Sequence, residues 1–121
     1  VYKTRDKSVV LPATEVVTNN EFFDYDAKYE GKSDEITPAR IAESTAERVR
    51  ETTRNIYRQL DCYGIIRIDY ILSGERGEEQ INLLEINTTP GMTPASFIPQ
   101  QVRASEFEIA DVLSEIIEGR F

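Results

Sequence analysis

With 121 residues, the chain suits one domain with a modest core, and its 40% hydrophobic and 9% aromatic content is that of an ordinary globular protein. Its 14 basic and 22 acidic residues give a net charge of −8. We therefore expect no nucleic-acid partner and no membrane partner, because a negative field repels nucleic acids and anionic lipids and no apolar run is long enough to cross a bilayer. The chain contains no histidine, which excludes Ser-His and Cys-His catalysis and every zinc site with a histidine ligand. The single cysteine, Cys62, cannot form an internal disulfide, so a cytoplasmic location is expected.

The first third of the chain predicts an extended segment followed by a long irregular one. Residues 9–18 are rich in valine around Pro12, which indicates a strand at the edge of a sheet. Residues 19–37 are polar and aromatic without periodicity. Such a stretch is either disordered or a functional loop, and its aromatic residues favour the functional loop.

The remaining two thirds predict three helices and a hairpin. After Pro38 one stripe of residues recurs at three- and four-residue steps, which indicates a long amphipathic helix that ends near Gly64. The stripe consists of Ala42, Ala46, Val49, Thr53, Ile56 and Leu60. Two β-rich runs flank a turn of serine, glycine and charged residues, the pattern of a β-hairpin. The predicted elements are a helix at 39–60, strands at 65–72 and 80–86 around a turn at 73–77, a loop at 88–94, a short helix at 96–105 broken at Pro99, and a closing helix at 108–118. We expect an α/β (α+β) fold with a mainly antiparallel sheet backed by helices.

The hairpin carries the polar side chains that point to chemistry. Alternation places Arg67 and Asp69 on one face of the first strand, and Glu85 and Asn87 share a face of the second. If these faces coincide, two carboxylates, an amide oxygen and a guanidinium converge. Carboxylate and amide oxygens are the hard ligands that Mg²⁺ prefers. A hairpin face that is simply solvated remains the alternative.

Three motifs resemble the signatures of one enzyme family. The run Glu85-Ile86-Asn87-Thr88-Thr89-Pro90-Gly91-Met92-Thr93 resembles the E-x-N-x-x-P-G-M-T signature of D-alanine–D-alanine ligases. Phe22-Phe23-Asp24-Tyr25-Asp26-Ala27-Lys28-Tyr29 resembles the F-Y-D-Y-x-A-K-Y loop of the same family, with Phe23 in place of tyrosine. Arg67-Ile68-Asp69 resembles its R-x-D strand. The motifs occur in the family's order and span nearly the whole chain.

This resemblance implies that residues 1–121 are the C-terminal part of the ATP-grasp catalytic domain of a longer ligase. Such an enzyme joins two D-alanines through an acyl phosphate, with ATP as co-substrate, for peptidoglycan synthesis and cell-wall formation. The absence of an initiator methionine before Val1 fits a fragment of a longer polypeptide.

The resemblance also assigns roles to individual residues. The motifs imply that Asp69, Glu85 and Asn87 hold two Mg²⁺ ions, with Mn²⁺ as a possible substitute, and that Arg67 and the backbone of Gly91 stabilise the developing oxyanion. Ser96 and the main chain around Phe97 are expected to bind the carboxylate of the second D-alanine, although N-capping of a helix is the simpler alternative for Ser96.

The upstream loop contributes three further candidates. Lys28 is expected to reach the phosphates, Tyr29 to complete the catalytic site, and Phe22 to face the nucleotide.

Several family features have no counterpart in the sequence. It contains no glycine- and serine-rich phosphate loop, no pair of nucleotide-binding lysines on a small domain, and no N-terminal glutamate region for the first D-alanine. We therefore expect the chain to be inactive alone, to act with N-terminal and central domains of the same polypeptide, and to belong to a homodimeric parent. Two alternatives stay open: a related ATP-grasp carboxylate–amine ligase with another acceptor, and a non-catalytic ATP-grasp-like binding domain. The pair Lys28-Tyr29 argues against the relatives that use D-lactate.

Overall fold

A computed structural model describes residues 1–5, 7–18 and 33–119 of the chain. In these ranges the strands form three antiparallel pairs, β1 with β2, β3 with β4, and β5 with β6. The antiparallel α+β architecture predicted from the sequence is therefore confirmed. The elements in chain order are β1 (Tyr2–Lys3), β2 (Ser8–Val9), β3 (Glu15–Thr18), β4 (Ser33–Ile36), α1 (Glu43–Gln59), β5 (Arg67–Ser73), β6 (Gln80–Asn87), α2 (Phe97–Ala104) and α3 (Ile109–Glu118).

The extended segment predicted at 9–18 is divided into two strands. Val9 pairs with Tyr2 in the β1–β2 pair, whereas Glu15 pairs with Ile36 in the β3–β4 pair. The residues between these strands, which include Pro12, belong to neither ladder. A proline lacks the N–H that a ladder requires, so the interruption falls where a strand is hardest to continue.

Helix α1 is shorter than predicted at both ends. It begins at Glu43 rather than near residue 39, because Ala42 has an extended backbone, with φ of −61° and ψ of 146°, through which a helix cannot continue. Gly64 does not end the helix. Asp61 takes the left-handed conformation after the helix, with φ of 51°, and Cys62 N–H donates to the Tyr57 carbonyl at 3.1 Å, as in a Schellman motif.

The buried face of α1 also differs from the predicted apolar stripe. Thr53, which lies on the predicted stripe, is buried, but Thr45 and Tyr57 are buried as well, and Leu60 at the end of the stripe is 58% exposed. The Thr53 hydroxyl hydrogen-bonds the Tyr70 hydroxyl at 2.7 Å. The helix therefore packs on the hairpin through hydroxyl-bearing side chains, which a hydrophobicity pattern does not detect.

Helix α2 is continuous through Pro99, contrary to the break predicted there. Pro99 is the third residue of the helix. A backbone N–H at this position has no acceptor within the helix, so a proline, which lacks the N–H, removes no helical hydrogen bond. The helix ends at Ala104, and Glu106, two residues later, takes the left-handed conformation with φ of 62°. Helix α3 then matches the predicted closing helix to within one residue.

Two buried clusters hold these elements together. One joins β1 to the helical end of the chain and contains Tyr2, Leu11, Ile98, Val102 and Val112. The other lies under the hairpin and contains Val1, Tyr57 and Ile66, with Cys62 packed against it as a half-buried free thiol. Among the described helices, none combines the length and hydropathy that crossing a membrane requires.

Candidate functional site

The register of the β5–β6 hairpin brings the four polar candidates together in two cross-strand pairs. Arg67 lies opposite Asn87, and Asp69 lies opposite Glu85. Residues directly opposite on one face have Cβ atoms about 4.5–5.5 Å apart. Beyond Asp69 the register shifts, so that Tyr70 pairs with Leu83. The four side chains therefore occupy the regular end of the hairpin, next to the loop that leads into α2.

Arg67 is fixed from two sides. Its Nε donates to Asp69 Oδ1 at 2.9 Å and its Nη2 donates to Asp69 Oδ2 at 3.1 Å. Its guanidinium carbon lies 5.2 Å from the centre of the Phe97 ring, within the range of a cation–π interaction. Only 11% of the Arg67 side chain is exposed, so this two-point ion pair is better shielded from water than a typical surface pair. These contacts hold the guanidinium in one orientation.

The oxygen atoms on this face suit a hard divalent cation. Each Asp69 oxygen accepts one hydrogen bond from Arg67, and a carboxylate oxygen keeps a further lone pair after one such bond. Asn87 Oδ1 accepts one bond, from Thr89 N–H at 2.9 Å. The Glu85 side chain is exposed and forms no hydrogen bond or ion pair with another described residue. One guanidinium against two carboxylates leaves a net negative charge, which attracts a cation. The donor set therefore fits Mg²⁺ or Mn²⁺ in kind.

The set is small for a metal site made by protein alone. Across residues 1–5, 7–18 and 33–119, the structure contains no group of three or more His, Cys, Asp or Glu side chains that could hold a metal ion. Two carboxylates and one amide leave several ligand positions of the cation unfilled. In nucleotide sites Mg²⁺ fills such positions with water and phosphate oxygens.

The loop after β6 is folded around Ser96. The hydroxyl of Ser96 accepts a hydrogen bond from Thr93 N–H at 3.1 Å and shares a second, of 2.7 Å, with the Thr93 hydroxyl. A Cβ atom at Gly91 would lie 2.9 Å from Ser96 Oγ, closer than such contacts occur. An alanine at this position would therefore displace the Ser96 hydroxyl.

Ser96 occupies the N-cap position of α2, but its side chain forms no capping hydrogen bond. The hydroxyl is instead turned back toward Thr93. The alternative role considered for Ser96, side-chain capping of the helix, is therefore absent from this structure. Binding of a substrate carboxylate by Ser96 and Phe97 remains a prediction.

A cavity of about 450 Å³ lies between the loop after β6, α2 and the start of α3. Its walls include Met92, Pro94, Phe107 and Ile109. Arg103, Glu106 and Glu108 also line it, whereas neither the polar hairpin face nor Ser96 contributes to it. The cavity is therefore separate from the candidate site.

Three predicted site residues, Phe22, Lys28 and Tyr29, lie outside the described residues. Their roles stay predictions.

Two residues near the site were not singled out from the sequence. Thr93 hydrogen-bonds Ser96 through both its N–H and its hydroxyl. The only sequence feature that could have indicated this contact is the spacing of three residues between the two hydroxyl-bearing side chains. Gln100 donates to Glu35 Oε1 at 2.9 Å across 65 positions of the chain, and no local pattern indicates such a contact.

Comparison with known proteins identifies the family to which the chain belongs. The sequence model described as D-ala D-ala ligase C-terminus matches residues 1–118. D-alanine–D-alanine ligases of Bacteroides fragilis and Phocaeicola vulgatus are 63% and 64% identical over 120 residues, which are 99% of this chain and 36% of each relative. The chain thus spans about a third of the length of these curated relatives.

Solved structures show the same likeness. A D-alanine–D-alanine ligase from Bacillus anthracis aligns with a TM-score of 0.68 and 32% identity, over 90% of this chain and 35% of that one. The same enzyme complexed with ATP aligns at 28% identity, over 90% of this chain and 33% of that one, also with a TM-score of 0.68. D-alanyl-alanine synthetase A from Vibrio cholerae aligns with a TM-score of 0.75 and 25% identity, over 96% of this chain and 35% of that one. The chain therefore belongs to the family of the D-alanine–D-alanine ligase C-terminus.

Proposed function

We propose that this chain provides the metal-binding and acceptor-binding part of a cytoplasmic, ATP-dependent ligase that joins two D-alanines to D-alanyl-D-alanine for peptidoglycan synthesis. The family match over residues 1–118 supports the reaction class. The observation that carries the proposal is the hairpin register, in which Arg67 faces Asn87 and Asp69 faces Glu85. A solvated hairpin face has no requirement for a guanidinium held between a carboxylate and an aromatic ring.

The proposed reaction has two displacement steps. The carboxylate of the first D-alanine attacks the γ-phosphorus of ATP, so that ADP leaves and an acyl phosphate forms. The amine of the second D-alanine then attacks the acyl carbon, inorganic phosphate leaves, and the amine loses a proton. Negative charge builds up on phosphate oxygens in the first step and on the acyl oxygen in the second.

The hairpin face would bind the cations that neutralise the negative charge on the phosphate oxygens in the first step. Asp69, Glu85 and Asn87 would hold two Mg²⁺ ions, or Mn²⁺, which when bound neutralise charge on the phosphates of ATP. The carboxylate of Glu85 is exposed and has no hydrogen-bond or ion-pair partner among the described residues, so it would be available to a cation.

Arg67 and Gly91 would meet the second charge. The Arg67 guanidinium is already oriented by Asp69 and by the Phe97 ring, so little reorganisation is needed when the oxyanion forms. The backbone N–H of Gly91 would be the second donor. Loss of one preorganised donor of this kind typically lowers the rate by about 10²–10³-fold.

The start of α2 would hold the carboxylate of the second D-alanine. The N–H groups of Phe97 and Ile98 lie in the first turn, where the helix supplies no acceptor for them, and a helix N-terminus attracts anions. The Ser96 hydroxyl lies at the same end of the helix. Lys28, Tyr29 and Phe22 complete the proposed site as phosphate, active-site and nucleotide contacts.

The adenine and first D-alanine sites would come from N-terminal and central domains of the same polypeptide, in a homodimeric parent. The chain covers about 36% of its curated relatives, which fits a division of the site between regions. Because catalysis needs both substrates in near-attack geometry, the 121 residues alone should release no phosphate from ATP in response to D-alanine.

The test uses the full-length protein that contains this sequence. Wild type should form ADP, phosphate and D-alanyl-D-alanine in equal amounts from ATP and D-alanine, and only with a divalent cation. Glu85→Gln should lower this rate by roughly 10²-fold or more, on the scale of a lost electrostatic contact in the transition state. Glu78→Gln is the matched control, since Glu78 is an exposed carboxylate in the turn of the same hairpin, and its rate should be unchanged. Absence of dipeptide with wild type would contradict the proposal, and a product made only with D-serine would favour the related ligase.

A further inference from the structure

Helix α2 carries two adjacent glutamines that reach toward the β3–β4 pair. The side-chain amide of Gln100 donates to Glu35 Oε1 and to the Ala95 carbonyl, each at 2.9 Å. Because this nitrogen has two hydrogens, both donors are used. The Gln101 amide donates to the Thr14 hydroxyl at 3.1 Å, and Thr14 is hydrogen-bonded to Thr37 at 2.6 Å. Gln100 thus connects a strand with the loop before α2, whereas Gln101 connects strand-flanking residues with the helix only.

The contact to Ala95 fixes more than one carbonyl. The carbonyl of Ala95 and the N–H of Ser96 belong to the same planar peptide group. Gln100 holds this group by its oxygen, and the Thr93 carbonyl holds it by its nitrogen, at 2.8 Å. The peptide plane immediately before Ser96 is therefore restrained at both ends.

We propose that Gln100 is a positioning residue for the second amino-acid substrate, acting through the Ala95–Ser96 peptide; this inference rests on the proposed function. The orientation of that peptide sets the direction of the Ser96 Cα–Cβ bond and of the first turn of α2. Glu35 accepts the second hydrogen of the same amide and so keeps the Gln100 side chain in the rotamer that reaches Ala95. Gln100 need not contact any substrate itself.

The test compares three variants of the full-length protein by steady-state kinetics and thermal melting. Gln100→Leu keeps the approximate size of the side chain but removes both donors, and should raise KM for the second D-alanine about 3- to 10-fold, within the worth of ordinary hydrogen bonds. KM for ATP should change less than 2-fold. Gln101→Leu is the matched control, which loses only the Thr14 contact and should lower Tm without changing the acceptor KM.

A third variant separates the two contacts of Gln100. In the double variant Glu35→Gln, Gln100→Glu, residue 35 becomes the donor and residue 100 the acceptor. The hydrogen bond between α2 and β4 can therefore form again, but residue 100 can no longer donate to the Ala95 carbonyl. The acceptor KM should stay raised. A KM restored by this exchange, an unchanged KM in Gln100→Leu, or an equal rise in KM for ATP would overturn the positioning role. Wild type that makes no dipeptide would instead refute the proposed function, and with it the positioning role that depends on it.

Discussion

Replacing Gly91 with alanine should destabilise the protein only when residue 96 is serine. In the wild-type loop the added Cβ would lie 2.9 Å from Ser96 Oγ and 3.6 Å from Ser96 Cβ. The first contact forces the hydroxyl to move, whereas the second is ordinary van der Waals contact. Gly91→Ala should therefore displace the hydroxyl from Thr93, and Ser96→Ala should remove the obstacle.

The magnitude follows from the hydrogen bonds that Ser96 makes. Its hydroxyl accepts from Thr93 N–H and shares a bond with the Thr93 hydroxyl. Bonds of this kind contribute about 0.5–1.5 kcal/mol each, and their exposure favours the lower end. Gly91→Ala or Ser96→Ala alone should thus cost roughly 1 kcal/mol. In the Ser96→Ala background, Gly91→Ala should be neutral or should stabilise by about 0.4–1 kcal/mol, because alanine restricts the unfolded chain.

Urea denaturation of the wild type and the three variants, followed by circular dichroism, gives the four free energies of unfolding. The double-mutant cycle should show a coupling of about 1 kcal/mol or more between the two positions. Additive effects, with Gly91→Ala equally costly in both backgrounds, would show that the glycine is required for a reason other than the Ser96 hydroxyl.

Three further predictions concern charge and titration. The Thr45 hydroxyl donates a hydrogen bond to the Glu79 carboxylate and lowers the pKa of Glu79 below its ordinary value of 4.5. The Gly77 N–H donates to the same carboxylate and acts in the same direction. The ionised Glu79 carboxylate contributes its full stabilisation above pH 4.5, and this contribution is lost as the pH falls through the folded-state pKa. In Glu79→Gln the free energy of unfolding should therefore decrease less on acidification, as measured by acid denaturation. Burial raises the pKa of Tyr57 to about 12 from 10, so stability should fall between pH 10 and 12, and Tyr57→Phe should remove part of that fall in an alkaline titration. Arg67→Lys loses the two-point contact with Asp69 and should slow dipeptide formation by the full-length protein by about 10²-fold; a rate within 3-fold of wild type would contradict the role of Arg67.

The hairpin shows what could be predicted from the sequence. Period-two alternation correctly placed Arg67 with Asp69 and Glu85 with Asn87, because side-chain direction along a strand depends only on parity. The register that puts Asp69 opposite Glu85 could not be read in this way, since it depends on the turn and on the shift after Asp69. The contact between Arg67 and Phe97 depends on how α2 docks against the hairpin, and no pattern within either element encodes it.

The errors have local physical reasons. Pro99 was expected to break α2, but a proline in the first turn of a helix removes no helical hydrogen bond. Gly64 was expected to end α1, but Asp61 adopts the left-handed conformation there, which aspartate tolerates better than most residues. Spacing placed Leu60 on the buried face of α1, but it is exposed. Thr45, which the apolar pattern omitted, is buried because Glu79 satisfies its hydroxyl group.

The most direct measurement is the anomalous diffraction of Mn²⁺ in crystals of the full-length protein grown with ADP. An anomalous peak within about 2.0–2.5 Å of oxygen atoms from Asp69, Glu85 and Asn87, the range of hard-cation contacts, is the predicted result. The peak should be lost in Glu85→Gln crystals and kept in Glu78→Gln crystals. Nucleotide bound with Mn²⁺ held elsewhere, and these three side chains uncoordinated, would contradict the assignment of the hairpin face as the metal site of the ligase.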